Sequence, residues 1–482
     1  MKQLPKINRL LRRIKQIQIK QIQNQKLRIK VIQSKLLELQ KSLSENAEII
    51  TDFSTHQEYM HDATIETGIP SAIIFAQTET DIQHVVLFCR QHSFPLTVRG
   101  AGTGLSGGAV PKDGAILLSV ERMNYLTIDT DTKIAYAQTG VITKTIIDEA
   151  LKVNLFYPPD PASFAESTIG GNVAENAGGL KCVKYGVTRD YVLGIKAVTE
   201  DGKLISTGIY NKKPGFNFNE LFIGSEGTLV IITDIALKLV AKQNQGETIL
   251  ISFSKASDAA QTVADIRHAG ITPIVLEFLD GDAADCSNQY EKIDSLVNAA
   301  GILLIESEQK DSDEIEQLAK NNKCIFIQRE PDSSKADTLW KVRRNLSKAV
   351  KEMAKIRINE DVAVPISKFP VLVAFVAEMN KNTTLRINSF GHAGDGNLHV
   401  NFLAKTDSKE ETEAIEEQIV KLLEKTIELG GTLSGEHGIG LAKKKYLHME
   451  FDSATLEAMK KVNAVFNSSS LLNPGKIFQK QQ

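Results

Sequence analysis

A chain of 482 residues, 42% hydrophobic and 24% charged, has ordinary globular composition and the length for two substantial cores plus an extension. No apolar run approaches the roughly 20 residues that cross a bilayer, and the N-terminus lacks the apolar core of a secretory signal, which places the chain in the cytoplasm. The four cysteines, Cys89, Cys182, Cys286 and Cys324, are dispersed without a CxxC pair. Neither a disulfide framework nor an iron–sulfur cluster is indicated, so any redox cofactor is organic or held by other ligands.

The net charge of −2 conceals an asymmetry: residues 1–43 hold twelve lysines and arginines against one acid, Glu38, so this stretch carries +11 and the remainder −13. Across residues 1–48 the apolar residues keep helical spacing, first Ile7, Leu11 and Ile14, then Ile29, Ile32, Leu36, Leu39 and Leu43. The pattern predicts a basic amphipathic helix. Two roles stay open for it: peripheral contact with anionic lipid on the inner face of the membrane or with an acidic partner, or a solvated leader. A mitochondrial transit peptide fits poorly, because serine is scarce and lysine outnumbers arginine. Nucleic acid is not an expected partner, since the body of the chain is acidic and the extension has no aromatic residue for stacking.

Residues 49–242 alternate short β-branched runs with glycine-rich turns. Ser71–Phe75, Leu96–Arg99, Ala115–Leu118, Ile134–Gln138, Leu193–Val198 and Thr228–Ile232 read as strands, and Asp81–His92 and Thr143–Val153 as helices. Near residues 240–245 the texture changes. Helical periodicity then appears at Ser257–Ala269, Asp311–Asn322, Thr338–Lys355 and Lys409–Leu429, with strands such as Thr272–Leu279 and Asn397–Leu403 between. The fold class is α+β, with a second domain over residues 243–468 and a terminal segment over 469–482.

The strand at Leu96 runs into RGAGTGLSGG (99–108), which places Gly100, Gly102, Gly104, Gly107 and Gly108 within nine residues. Such density lets successive backbone N–H groups converge on an anion, with Thr103 and Ser106 adding hydroxyls; a tight turn or hinge is the plainer alternative. The loop lacks the GK[ST] ending of a nucleotide-hydrolase P-loop, and no helix start follows it as a Rossmann fingerprint requires. Further glycine-rich stretches follow at STIGGNVAENAGG (167–179), preceded by PPDPAS (158–163), and at IGSEGTLVIIT (223–233). Three such stretches, each beside a strand, imply an extended ligand rather than one phosphate.

In the second half, three of nine histidines fall in two glycine-rich clusters, SFGHAGDGNLHVN (389–401) and GGTLSGEHGIG (430–440). The turn signal at Gly394–Asn397 predicts a hairpin-like reversal that brings His392 and His399 together. With Glu436 they make two imidazoles and a carboxylate with room for an exchangeable position, a ligand set suited to zinc, manganese or iron(II).

In this order the four motifs of the first half closely resemble the FAD-binding domain of the vanillyl-alcohol-oxidase-like (PCMH-type) flavoproteins. The histidine clusters are similar to the GHxGDGNLHxN and SGEHGxG motifs of that family's D-lactate dehydrogenase and glycolate oxidase large-subunit branch. The resemblance spans residues 50–480. It implies a two-subdomain FAD-binding domain at 49–242, an α+β substrate (cap) domain with an antiparallel sheet at 243–468, and a C-terminal segment that returns to the FAD domain. Arg99, Gly100, Ala101, Gly102, Thr103, Gly104, Leu105, Ser106, Gly107 and Gly108 would hold the FAD pyrophosphate. Asp160, Ser163, Ser167, Thr168, Gly171, Asn172 and Ala174 would line pyrophosphate and isoalloxazine, with Ile232 at the adenosine end and Asn473 near the isoalloxazine. Some relatives attach the flavin through a histidine of the first loop; this loop has none, so the FAD is expected to be non-covalent.

By the same resemblance His392, His399 and Glu436 bind a divalent metal, His437 is the general base and Asn401 helps to hold the substrate. A metal beside the α-hydroxyl lowers its pKa, and a neutral imidazole accepts the proton while the α-hydrogen leaves as hydride for the flavin. Trp340–Arg344 resembles the family's W-x-x-R segment, which assigns Arg343 to the substrate carboxylate, a surface arginine being the plainer alternative. The 2-hydroxyglutarate branch carries a lysine where Asn359 stands here, so a small D-2-hydroxy monocarboxylate, D-lactate or glycolate, is the expected substrate. A redox-neutral flavoprotein resembling alkylglycerone-phosphate synthase, a non-catalytic FAD-binding subunit and a metallohydrolase are the rivals. Electrons would leave for a quinone, a cytochrome, oxygen or a partner protein such as an iron–sulfur subunit.

Overall fold

The computed structural model describes residues 32–211, 215–242, 246–290 and 299–478. The early part of the basic extension, with Ile7, Leu11, Ile14 and Ile29, lies outside the described residues. Its later part is helical over 32–40, and Leu36 and Leu39, 3% and 5% exposed, pack with Ile74, Val85 and Leu118. Here the apolar stripe is one face of a core, and the charged residues stay outside it.

The first lobe holds two main sheets. In the smaller, β1 (Glu48–Ile50), β2 (Ala72–Phe75), β3 (Leu96–Arg99) and β4 (Ile116–Ser119) are ordered β1-β2-β4-β3, with β4 parallel to both β2 and β3. Parallel neighbours need a crossover, and the helix Glu79–His92 supplies one between β2 and β3. Thr78 caps it, accepting from the Asp81 N–H while the Asp81 carboxylate accepts from the Thr78 N–H, and Val85, Val86 and Cys89 are buried against the sheet.

The larger sheet is antiparallel. Its strands β5 (Leu126–Asp129), β6 (Ile134–Gln138), β8 (Val192–Val198), β9 (Leu204–Ser206) and β10 (Ile231–Lys238) run in the order β5-β6-β10-β8-β9, and β7 (Leu155–Phe156) pairs separately with β11 (Val240–Ala241). The strand expected at Thr228 starts at Ile231 instead. Gly224, Glu226 and Gly227, all at positive φ, keep the chain turning up to that point.

The second lobe is one seven-stranded antiparallel sheet in the order β15-β12-β14-β13-β17-β18-β16, from β12 (Glu247–Phe253), β13 (Val275–Asp280), β14 (Gly301–Ser307), β15 (Cys324–Glu330), β16 (Ile356–Ala363), β17 (Arg386–Gly391) and β18 (Asn397–Ala404). Alternation along the strands separates its faces. Leu398, Val400 and Phe402 of β18 enter the core shared with helices Ala256–His268, Phe369–Lys381 and Lys409–Glu428. Their neighbours His399 and Asn401 point to the other face, whose apolar part is covered by helices Gly281–Tyr290 and Ser333–Glu352.

After this lobe the chain returns to the first. Leu472 forms a bridge with Leu96, and Asn473 accepts from the Val98 N–H at 3.1 Å and donates to the Glu226 carbonyl at 2.7 Å. If the 32–40 helix is part of the first lobe's core, Leu39→Ala should lower its unfolding free energy by about 2–5 kcal/mol, as for other buried leucines. Urea denaturation checks this, and an unchanged midpoint would show that the helix merely rests on the surface.

Candidate active site

A cleft runs between the two sheets of the first lobe and ends at the second. Its walls include Gly100, Ala101, Gly102, Thr103, Gly104, Leu105 and Gly108 from the first glycine-rich loop. They also include Ser163, Ser167, Thr168, Gly171, Asn172, Ala174, Ile232 and Asn473, with Glu436 and His437 at one end. The glycines are needed here. A Cβ on Gly100 would strike the Thr168 hydroxyl and one on Gly170 would strike Thr139, whereas Gly104 faces open space. A long bare-backbone trough with hydroxyls at Thr103, Ser163 and Thr168 suits a dinucleotide with its phosphates on the loops.

Four of the residues assigned to that ligand lie away from the trough. Arg99 turns its guanidinium onto the carbonyls of His61 and Glu58, at 2.6 and 2.9 Å. Asp160 is paired with Lys181 at 2.6 Å. Ser106 is buried behind the loop, where its carbonyl takes the N–H groups of Leu441 and Ala442, and Gly107 lies against Leu441. For Arg99 and Asp160 a nearer carbonyl or charge satisfies the side chain, and spacing in the sequence carries no trace of it.

The histidines meet as the turn signal requires. β17 and β18 form a hairpin in which Phe390 faces His399, with Gly396 at φ +83 where a Cβ would collide with the Val364 carbonyl. The His392 and His399 rings are 5.3 Å apart and perpendicular, and the Nε2 atoms stand 3.3 and 3.4 Å from one oxygen of Glu436. His437 stacks on His399 with centroids 5.0 Å apart. Burial pushes its imidazole down to about 4 against the pull of Asp361, so the ring is neutral near pH 7.

Two carboxylates that the motifs did not reveal stand behind the histidines. Glu277 of β13, with a fully buried side chain, takes His392 Nδ1 at 2.6 Å on one oxygen and Arg343 Nε at 2.5 Å on the other. Burial opposes its charge, yet His392 and Arg343 hold it down to about 2. Asp361 of β16 lies 3.6 Å from His399 Nδ1 and accepts the N–H groups of Glu436 and His437 at 2.7 and 2.9 Å. The carboxylate on His392 Nδ1 leaves its Nε2 turned toward Glu436, and His399 Nε2 faces the same oxygen. Burial disfavours a charged His392, but Glu277 and Glu436 keep its pKa well above the usual histidine range. A charged residue amid the apolar run VLEFLD was the available signal for Glu277.

Arg343 lies within the lobe, with its guanidinium over the Phe390 ring at 4.9 Å. Asn401 sits in a buried polar row: its amide oxygen takes Arg357 Nε at 2.8 Å and Asn359 Nδ2 at 2.9 Å, and its nitrogen donates to Asn388 at 2.9 Å. Asn359 thus stands beside a cation, Arg357, that the motif comparison passed over.

Residues 70–208 match the FAD binding domain family, and residues 242–477 match the family of FAD linked oxidases, C-terminal domain. The glycolate oxidase subunit GlcD of Bacillus subtilis (strain 168) is 39% identical over 88% of this chain and 92% of its own. The chain belongs to the FAD-linked oxidases. FAD is the cofactor of this family's binding domain, and the trough described above is where the residues fit it. A D-lactate dehydrogenase of Anaerostipes hadrus is 31% identical over 92% of this chain and 97% of its own. Among solved structures, p-cresol methylhydroxylase superposes with a TM-score of 0.75 at 16% identity, covering 93% of this chain and 97% of that one, a likeness of fold. No described helix is long and apolar enough to cross a membrane.

Glu277 is shared by two cationic partners, so Glu277→Ala should leave a buried arginine unpaired and cost about 3–5 kcal/mol in urea unfolding. A loss below about 1 kcal/mol would show that the Arg343 charge is compensated elsewhere.

Proposed function

We propose that this chain oxidises a small D-2-hydroxy acid, D-lactate or glycolate, to the 2-oxo acid with non-covalent FAD, beside a divalent metal held by His392, His399 and Glu436. The observation that carries the reading is the convergence of those three side chains and His437 at one end of the flavin trough. Relatives named glycolate oxidase subunit and D-lactate dehydrogenase, each matched over most of its length, support the same reaction. Zinc, manganese and iron(II) all suit two imidazoles and a carboxylate.

When bound, FAD supplies the acceptor for the α-hydrogen and the metal supplies the charge that acidifies the hydroxyl. His437, neutral and half-buried, accepts the hydroxyl proton. Asp361 holds the backbone of Glu436 and His437, so ligand and base project from one fixed turn. Glu277 fixes the Nε edge of Arg343 and leaves the guanidinium as the assigned partner of the substrate carboxylate, with Asn401 holding the polar row beneath. Asn359, where the 2-hydroxyglutarate branch has lysine, favours a monocarboxylate. Electrons then pass to a separate acceptor; the subunit naming of the GlcD relatives favours a partner protein, and the excess of lysine and arginine in residues 1–43 suits an acidic partner or anionic lipid.

The deciding experiment is anaerobic mixing of the yellow holoprotein with 2-hydroxy acids. D-lactate or glycolate should bleach the flavin with a higher kcat/KM than 2-hydroxyglutarate; a flavin that stays oxidised with all of them removes the proposal. His437→Ala should retain FAD and lose about 10²–10⁴-fold in turnover, the usual contribution of a positioned base. Exhaustive chelation should abolish flavin reduction while the absorbance of bound FAD persists, and undiminished reduction would sink the metal assignment alone.

A further inference from the structure

The stretch from Ser434 to Gly440 carries both a proposed metal ligand and the proposed base, yet it is neither helix nor strand. It is held by two buried carboxylates, one from each lobe. Asp361 grips the N–H groups of Glu436 and His437. Glu226, from the first lobe, grips the next two residues but one: its Oε1 accepts the Ile439 N–H at 2.7 Å and its Oε2 the Gly440 N–H at 2.6 Å.

Glu226 has a carboxyl neighbour. Glu175, at the end of the helix Ile169–Glu175, also lines the flavin trough, and its Oε2 is buried without a hydrogen-bond partner. Gly438 separates the two acids; a Cβ there would sit 2.6 Å from Glu175 Oε2 and 3.0 Å from Glu226 Oε1. Charges on two carboxyls that face one another across a glycine oppose each other, and donors decide which keeps the charge. Glu226 has two N–H donors on its oxygens and Glu175 Oε2 has none. Burial lifts Glu175 well above the ordinary carboxyl range and the Glu226 charge lifts it further, with Lys476 opposing and Asp62 adding. Burial also raises Glu226, against the pull of the Ile439 and Gly440 N–H groups. Lys476, which donates to the Gly108 carbonyl, is itself pushed down to about 7 by burial, and Arg99 faces the same cluster.

We propose that Glu226 and Glu175 form a carboxylate–carboxylic acid pair that positions the Glu436–His437 turn against the flavin trough. Glu226 is the ionised clamp on the Ile439 and Gly440 amides, and Glu175 is the protonated partner that keeps the trough wall at one negative charge. The pair acts through the turn and is a positioning device; its kinetic consequence rests on the reaction proposed above.

The two oxygens of Glu226 each serve a different N–H group, so Glu226→Gln must set an NH2 group against one donor and remove the charge from the bond to the other. With FAD-loaded full-length protein, Glu226→Gln should speed amide hydrogen exchange across residues 434–441 by about 10–100-fold, the scale of losing a charge-assisted hydrogen bond. It should lower kcat by a similar factor with KM and FAD content kept, and Glu226→Asp, which retains both oxygens and the charge, should recover part of kcat. Glu175→Gln should remove one protonated-carboxyl band from the infrared spectrum at neutral pH. Unchanged exchange in Glu226→Gln, or a protonated-carboxyl spectrum untouched by Glu175→Gln, overturns the pair. Exchange and infrared spectra do not need substrate, so they stand even if no hydroxy acid reduces the flavin.

Discussion

The site depends on the pairing of β16, β17 and β18 within the seven-stranded sheet. Because side chains alternate along a strand, a given register places Asp361, His399 and Phe390 side by side on one face, and Asn359, Asn401 and Asn388 in the next row. A slip of one residue would exchange them for Val362, Leu398 and Phe402. The same alternation that buries the apolar core thus delivers the histidine and its carboxylate to the opposite face, and the hairpin at Gly396 then adds His392.

On that face the ionisable groups form a continuous series, Arg343, Glu277, His392, Glu436, His399 and Asp361, each within reach of the next. Buried charges survive only in such company, since an isolated one carries several kcal/mol of desolvation. Each imidazole has a carboxylate behind it and Glu436 in front. Both rings present Nε2 to one oxygen of Glu436, and the Glu277 hydrogen bond holds the His392 ring in that orientation.

Much of this was legible in residue order. The glycine density at 99–108 marked a backbone trough, because only residues without Cβ let Gly100 and Gly170 lie against Thr168 and Thr139. The turn at Gly394–Asn397 marked the meeting of His392 and His399. What escaped were groups defined by long-range contact: Glu277 lies 115 residues from His392, and Glu226 lies 213 residues from Ile439. Arg99 has partners of the same long-range kind. The resemblance assigns it to the FAD, and two carbonyls at residues 58 and 61 take its guanidinium. Alternation and turn chemistry are local and can be read off; the partners of buried charges are set by which elements the fold brings together.

The return of residues 471–476 to the first lobe has a consequence for biosynthesis. Leu472 fills the core beside Leu96, while Asn473 ties β3 to the Glu226 turn. On the ribosome, the strands around Leu96 and Leu118 emerge early but wait for the whole second lobe to be translated before that place is filled. The first lobe thus spends much of its synthesis with an apolar gap, and completes its flavin trough only after the chemistry-bearing lobe is made. The trough, whose lining includes Asn473, is complete only once this last segment is in place.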